Sequence, residues 1–188
     1  MNYIYLIVGP SGVGKTTLVN NLARDYGYKV VESYTTRRKR YPDETGHIFV
    51  SDKEFDQLDN LVAFTEFDGY RYGVTQDIID QSDLYVIDPA GVAYMLKYYS
   101  GKKKIAVIWL EATYAQLKLR MLNRGDSVED IERRIVHDRE IFNQLRQPFK
   151  IGALIYADGI EYTEKRVHEY ILEKEKEVDD FCACGIKN

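Results

Sequence analysis

The sequence predicts a three-layer α/β fold with a parallel central sheet, a small β-rich lobe and a helical lid. Apolar runs typical of buried strands, such as residues 84–87 and 105–110, alternate with helix-like segments, which indicates parallel strands joined by crossover helices. Residues 33–75 break this alternation, because short strands and turns follow one another there. Two helical segments separated by Gly125 predict the lid, at about residues 120–140.

The remaining elements follow from hydrophobic periodicity and helix-start signals. Further strands are predicted at residues 4–8, 30–34, 47–50, 61–67, 70–72 and 154–156. Helices are predicted at residues 14–26, 51–60, 91–99, 113–124, 127–144 and 161–180. Capping pairs begin three of these helices: Ser51 with Glu54, Thr113 with Gln116, and Ser127 with Asp130. A turn at Asp68 and Gly69 joins two strands of the lobe, and Pro148 ends the lid region.

Length and composition bound the possible functions. A chain of 188 residues with 45% hydrophobic and 30% charged side chains suits one domain, with a core at residues 1–32 and 76–188 and the lobe at about 33–75. The net charge of −4 argues against nucleic-acid binding. No segment has the length and apolarity of a membrane span, so we expect a cytoplasmic protein. The expected assembly is a monomer or a homodimer. Cys182 and Cys184 are expected to be reduced thiols without a functional role.

A glycine-rich segment follows the first predicted strand. Gly9, Gly12, Gly14, Lys15 and Thr16 match the pattern G-x-x-x-x-G-K-[ST] between a strand and a helix. The glycines let backbone N–H groups point at a phosphate, the lysine supplies a charge for the outer phosphates, and the threonine hydroxyl suits Mg²⁺. The pattern predicts a P-loop that binds ATP or GTP. The predicted ATP-binding residues are Gly9, Pro10, Ser11, Gly12, Val13, Gly14, Lys15, Thr16 and Thr17.

A cationic loop at residues 37–40 is the second candidate site. Ser33 and the four consecutive cations read S-Y-T-T-R-R-K-R, and a bound dianion would relieve the repulsion among them. By itself such a run is usually a solvated loop. Beside a P-loop, a phosphate site is the favoured interpretation.

The predicted lid carries Arg120, Arg124 and Arg134. The first two are four residues apart and share one helix face, and Arg134 lies on the next helix. Arginines on such a lid bring positive charge to a phosphoryl group in transfer. The alternative is surface charge for solubility.

Asp88 ends a buried strand near the P-loop, where a carboxylate can hold Mg²⁺ through water or position an acceptor. The alternative is a helix-capping aspartate before Pro89. His47 in the lobe is a candidate phosphate contact, and Tyr72 is the tyrosine that we single out for the site.

The chain resembles the guanylate kinases. The resemblance runs from GPSGVGKTTL through SYTTRRKR, GHIFVSDKEF, FDGYRYG, IDPAGV and RMLNRGDS to about residue 156, in the family's order. It implies transfer of the γ-phosphate of ATP to a nucleoside monophosphate with Mg²⁺ as cofactor, and GMP or dGMP is the first expectation. It also implies an enzyme of the nucleoside monophosphate kinase class.

The resemblance assigns a role to each candidate residue. The residues implied to be catalytic are Lys15, Arg120, Arg124 and Arg134. Those implied to bind the acceptor are Ser33, Arg37, Arg40, His47 in place of a tyrosine, Tyr72 and Asp88, and Thr75 is added to them as a polar candidate. The metal ligands are Thr16 and Asp88.

Two positions depart from the family's pattern. Ala63 stands where the family has a guanine-reading glutamate, and Val74 stands where a serine or similar residue reaches the base. Glu66 is one substitute to consider, but Ala63 and Glu66 face opposite sides in a regular strand. Thr65 and Thr75 are other polar candidates. These departures leave two alternatives: another acceptor, such as a different nucleotide or ribose bisphosphate, or a non-enzymatic module that binds phosphorylated partners.

Overall fold

The computed structural model describes residues 1–67, 69–145 and 150–183. The strands are β1 Tyr3–Val8, β2 Ser33–Thr35, β3 His47–Phe49, β4 Leu61–Phe67, β5 Tyr70–Thr75, β6 Leu84–Val86, β7 Lys104–Glu111 and β8 Ala153–Tyr156. The helices are α1 Lys15–Tyr26, α2 Asp52–Phe55, α3 Gln76–Gln81, α4 Pro89–Tyr98, α5 Tyr114–Arg124, α6 Val128–Leu145 and α7 Ile160–Ala183. The predictions made for Asp68, Pro148 and Cys184 lie outside the described residues.

The central sheet is parallel, with strand order β6-β1-β7-β8. Alternate residues of β1 face opposite layers because side chains along a strand point to opposite faces. Tyr5 and Ile7 pack with buried residues of α1 and α7, whereas Ile4 and Leu6 pack with buried residues of α4 and the lobe. The predicted three-layer α/β fold is therefore confirmed.

The second sheet has the order β3-β2-β5-β4 and is built from residues 33–75. β2 pairs in parallel with β3 and antiparallel with β5, which also pairs with β4. A register shift lies between Leu61 and Ala63. This sheet, which we call the lobe, packs against β6 and α4. Its buried residues share a hydrophobic cluster with theirs, on the side of the central sheet that Ile4 and Leu6 face.

Two predicted elements differ from those observed. The strand predicted at residues 30–34 is divided between the sheets, because Val30 forms only an isolated bridge to Leu84 and β2 begins at Ser33 in the lobe. The helix predicted at residues 51–60 is a single turn. It keeps its capping box of Ser51 and Glu54, but Asn60 adopts a left-handed φ of 57° at the entrance to β4.

The other capping predictions are confirmed. Thr113 and Gln116 form a complete capping box at the start of α5, and Ser127 accepts a hydrogen bond from the Asp130 N–H at the start of α6. Gly125 ends α5 in the left-handed conformation, at φ 92°. Within the described part of the chain, no helix combines the length and apolarity that a bilayer crossing requires.

Candidate active site

A cavity of about 500 Å³ lies between the carboxyl ends of β1 and β6, the lobe and α6. Ligands of open parallel sheets bind at this edge of the sheet. The P-loop contributes Gly9, Ser11 and Lys15 to its lining. The lobe contributes Ser33, His47, Thr65, Glu66 and Tyr72, and α6 contributes Arg133, Arg134, His137, Asp138 and Ile141. One cavity therefore joins the P-loop to Ser33, His47 and Tyr72, which are three of the residues predicted to bind an acceptor.

The P-loop backbone has the shape that its glycines predict. Gly12 and Gly14 have left-handed φ angles of 78° and 103°. A Cβ on Gly12 would lie 3.0 Å from the Leu117 carbonyl oxygen, so a side chain there meets both strain and contact. Gly14 is the N-cap of α1, and no side chain caps the helix. The N–H groups at this helix start are consequently available to an anion.

Lys15 is folded onto the loop from which it emerges. Its Nζ donates to the carbonyl oxygens of Gly9 at 2.6 Å and Pro10 at 3.1 Å. Burial lowers the pKa of Lys15 to about 8, and the charges of Asp138 and Asp88 act in the opposite direction. A bound phosphate would supply more negative charge and hold the lysine in its ammonium form.

Asp138 of α6 contacts the P-loop directly. The Ser11 N–H donates to its Oδ2 at 2.6 Å, and its side chain is only 18% exposed. No motif in the sequence points to Asp138. Only its spacing of four residues from Arg134, which places both side chains on one face of α6, could have indicated a role in the site.

The lobe end of the cavity pairs Ser33 with His47. Neighbouring positions on β2 and β3 bring the Ser33 hydroxyl within 2.8 Å of the His47 Nδ1. The His47 ring lies edge-on to that of Tyr72, with centroids 5.8 Å apart. Burial, and then the charge of Arg37, lowers the pKa of His47. Three of the predicted acceptor-binding side chains are therefore neighbours.

Arg37 and Arg40 do not line this cavity. The Arg37 guanidinium instead makes two hydrogen bonds to the Glu44 carboxylate, at 2.7 and 3.1 Å, and Glu44 also accepts the Arg40 N–H at 2.7 Å. The hydrogen bonds from Arg37 are the main reason that the pKa of Glu44 falls to about 2. Glu44 was missed because an acidic residue in a turn-rich segment carries no distinctive pattern. A phosphate at this loop has to compete with Glu44 for Arg37.

The three arginines of the predicted lid have different environments. Arg120 donates to the carbonyl oxygens of Val13 at 3.1 Å and Ala157 at 2.6 Å, so it braces the P-loop. Arg124 forms a bidentate pair with Asp126. Arg134 lines the cavity, and its buried Nε has no hydrogen-bond partner among the described residues. Arg134 is therefore the arginine of the three that faces the place where a phosphate would lie.

Asp88 is a helix cap, as the alternative interpretation predicts, and it also lines the cavity. It is the N-cap of α4, with its Oδ1 accepting the Gly91 N–H at 2.6 Å. Its carboxylate and the Thr16 hydroxyl at the start of α1 are the hard oxygen donors that Mg²⁺ prefers. Among the described residues, no group of three or more His, Cys, Asp or Glu side chains could hold a metal ion by itself. This donor set fits an ion bound jointly with phosphate oxygens.

The positions of the family's base-reading side chains are closed. Ala63 and Val74 are 1% and 0% exposed and pack in the core with Tyr85. Thr75 is also buried, at the N-cap of α3, and does not line the cavity. None of these three residues is placed to contact a base in the cavity.

Three other polar residues line this end of the cavity: Thr65, Glu66 and Tyr85. β4 pairs regularly from Ala63 to Glu66, so the Thr65 side chain shares a face with Tyr72, whereas Glu66 lies on the other face of the strand. Neither the Thr65 hydroxyl nor the Tyr85 hydroxyl forms a hydrogen bond with any residue that the structure describes. Tyr85 is only 7% exposed and lines the cavity, so its hydroxyl is within reach of a ligand bound there. Burial raises its pKa and the charge of Asp88 adds to this, which keeps the hydroxyl protonated as a donor. The sequence analysis had assigned Tyr85 only to a buried strand.

Comparisons with known proteins agree with this geometry. Residues 6–143 match the family model of an AAA domain. The guanylate kinase of Parasynechococcus marenigrum is 32% identical, over 86% of this chain and 93% of its own. That of Hydrogenovibrio crunogenus is 33% identical, over 75% and 76%, and that of Schizosaccharomyces pombe is 29% identical, over 89% of each. The solved guanylate kinase of Anaplasma phagocytophilum shares the fold, with a TM-score of 0.60, 22% identity, and coverage of 93% of this chain and 86% of its own.

The fold and the P-loop site define a nucleotide-binding α/β protein with an AAA-type domain. Within that class, the chain belongs to the guanylate kinase family. The predicted enzyme class, a P-loop nucleoside monophosphate kinase, is thereby confirmed.

Proposed function

We propose that the protein transfers the γ-phosphoryl group of ATP to the phosphate of GMP or dGMP. The shared cavity supports this proposal, because the P-loop and the residues Ser33, His47 and Tyr72 line it together. A donor bound on the P-loop and an acceptor phosphate bound in the lobe would face each other across it. The reaction then forms one bond, from the γ-phosphorus to an acceptor phosphate oxygen, and breaks the bond to the oxygen that bridges the β- and γ-phosphates.

Catalysis by this site is electrostatic and positional. The P-loop N–H groups and Lys15 hold the donor phosphates, and the Ser33, His47 and Tyr72 side chains hold the acceptor phosphate. Arg134 meets the charge that develops on the group in transfer. Mg²⁺, held by Thr16, Asp88 and donor oxygens, would neutralise charge on the phosphates. In this proposal α5 and α6 form the lid, whose closure excludes water and so limits hydrolysis of ATP.

Arg37 and Arg40 join the acceptor site after a rearrangement. Because the Arg37 fork is held by Glu44 in this structure, an incoming dianion exchanges for the carboxylate or shares the guanidinium with it. Arg120 supports the donor site from behind, through the Val13 carbonyl.

Thr65 and Tyr85 support guanine as the base, because both line the cavity. A threonine hydroxyl accepts the N2–H of guanine, and a protonated tyrosine hydroxyl donates to O6. Adenine carries an amino group in place of O6 and has no amino group at C2. In this proposal these two side chains replace the family's own reading positions, which hold Ala63 and Val74 here.

The closed positions favour a second candidate, transfer to an acceptor without a guanine edge, such as ribose bisphosphate. Ala63 and Val74 leave part of the family's reading set without polar atoms. A module that only binds phosphorylated partners is disfavoured, since such a module has no use for a complete P-loop facing the cavity.

The test is ADP formation from ATP and Mg²⁺ with GMP, dGMP, IMP, AMP, CMP, UMP, dTMP and ribose bisphosphate. Preferred turnover of GMP and dGMP supports the proposal. Turnover of ribose bisphosphate alone identifies the second candidate. The absence of turnover with every acceptor overturns both.

A further inference from the structure

The contact between Asp138 and the P-loop has no part in the mechanism above. The Ser11 N–H belongs to a loop whose N–H groups are arranged for phosphate oxygens, and in this structure it donates to a carboxylate at 2.6 Å. That carboxylate comes from α6, 127 residues further along the chain, and is largely buried. A negatively charged group of the protein therefore occupies part of a site built for an anion.

The surrounding charges fit this substitution. Asp138 is the first of the two carboxylates whose charge opposes the effect of burial on Lys15. The lysine remains close to the loop, on the Gly9 and Pro10 carbonyl oxygens. Asp138 thus supplies the P-loop with the counter-charge that a nucleotide phosphate would otherwise provide.

A phosphate and Asp138 cannot both use the Ser11 N–H. Two anions within a few ångströms repel each other, and this repulsion is strong in a partly buried site. Donor binding therefore has to displace the carboxylate. Asp138 lies one helical turn from Arg134, so a displacement of this part of α6 also moves the arginine whose Nε has no partner among the described residues.

We propose that Asp138 is a positioning residue that occupies the empty P-loop as an internal anion and leaves when the donor phosphates bind. It acts through the loop and through Lys15, and it couples the state of the donor site to the position of Arg134. The cost of its displacement lowers the affinity for the donor. This inference rests on the proposed donor site.

The test compares Asp138→Asn with the wild-type protein by calorimetric titration of ATP and of inorganic pyrophosphate at pH 7. The amide keeps the shape but removes the charge, so we expect Kd for both probes to fall about tenfold. Glu140→Gln is the matched control, because it removes one exposed negative charge from the same helix and should leave both values unchanged. Asp138→Glu keeps the charge and should bind no more tightly than the wild type.

The direction of the change in affinity separates this role from a merely structural one. A contact that only braced the loop would weaken ATP binding when removed, whereas the loss of an internal anion strengthens it. Unchanged or weaker binding by a folded Asp138→Asn variant overturns the inference. If the wild-type protein binds neither ATP nor pyrophosphate, the proposal that the P-loop is the donor site is wrong.

Discussion

The two ends of the cavity differ in what builds them. At the donor end, backbone groups form the site, and the residues that shape it are glycines with left-handed φ angles, one lysine and the start of α1. At the acceptor end, side chains form the site, and their contacts depend on which of them turn into the cavity. The donor end follows the sequence pattern throughout, whereas the acceptor end departs from it at His47, Ala63 and Val74. The geometry of the backbone site follows from its glycines, whereas the geometry of the side-chain site depends on how its residues pack in the fold.

The largest expected effect is at the donor end. Lys15→Met removes the one side-chain charge of the P-loop, and we expect kcat to fall by at least about 100-fold. Affinity for the acceptor, measured by titration with GMP, should stay within about threefold of the wild-type value because the lobe is untouched. Lys29→Met, an exposed lysine outside the cavity, is the control. A Lys15→Met enzyme with near-normal kcat would show that the donor end is not where phosphate is held.

The next effect concerns the stability of the lobe. Glu44→Gln leaves the buried Arg37 guanidinium without its charged partner, and we expect a loss of about 2 kcal/mol in the free energy of unfolding at pH 7. The pKa of Glu44 is about 2 in the folded protein and 4.5 without its partners, so the unfolded state binds more protons between these values. The contribution of the pair is therefore complete above about pH 4.5 and declines as the pH falls towards 2.

Urea unfolding at pH 7 and pH 3 measures this contribution, and Glu32→Gln is the exposed control. The difference between Glu44→Gln and the wild type should shrink at pH 3. A difference that is equal at both pH values would mean that the carboxylate charge is not what stabilises the loop.

Base reading is tested by Thr65→Val. The change removes the hydroxyl that accepts the guanine N2–H, so KM for GMP should rise about fivefold, with kcat and KM for ATP little changed. IMP lacks the 2-amino group, so its KM should rise less. Glu66→Gln, on the other face of β4, is the control. Tyr85→Phe should instead raise KM for GMP and IMP together, because both carry O6. If the ratio of the two KM values is the same in Thr65→Val and the wild type, Thr65 does not read the base.

The smallest effect is a pH dependence from His47. Its pKa lies below the usual 6.5 in the empty site, and an acceptor dianion raises it, so acceptor binding takes up a proton. KM for GMP should therefore fall about threefold more between pH 7.5 and pH 6 in the wild type than in His47→Tyr. The comparison is between the two enzymes because the GMP phosphate also titrates in this range. Parallel pH profiles would exclude protonation of His47.

The donor end and the layer order could be read from the sequence for physical reasons. Glycine, lysine and threonine at fixed spacings specify a loop that few other residues permit, and alternating strands and helices specify a parallel sheet. The division of residues 30–34 between two sheets was not readable, since both halves have the same strand-like composition.

The rest of the site depends on contacts between residues far apart in the chain. Glu44 holds Arg37, Asp138 reaches Ser11 across 127 positions, and Tyr85 opens into the cavity from a strand that otherwise reads as core. A sequence pattern reports residue types at short spacings and carries no signal for such pairs. The lid arginines show the same limit, because three similar positions have three different environments: the P-loop backbone, the Asp126 carboxylate and the cavity.

The central claim is that one cavity holds donor and acceptor at once. Titration with an analogue that joins adenosine to guanosine through five phosphates tests it most directly. We expect one binding site per chain and a Kd at least about 100-fold below those of ATP and GMP. The linked compound would occupy both ends of the cavity with a single loss of translational freedom. Binding no tighter than that of ATP alone would contradict the claim and separate the P-loop from the acceptor site.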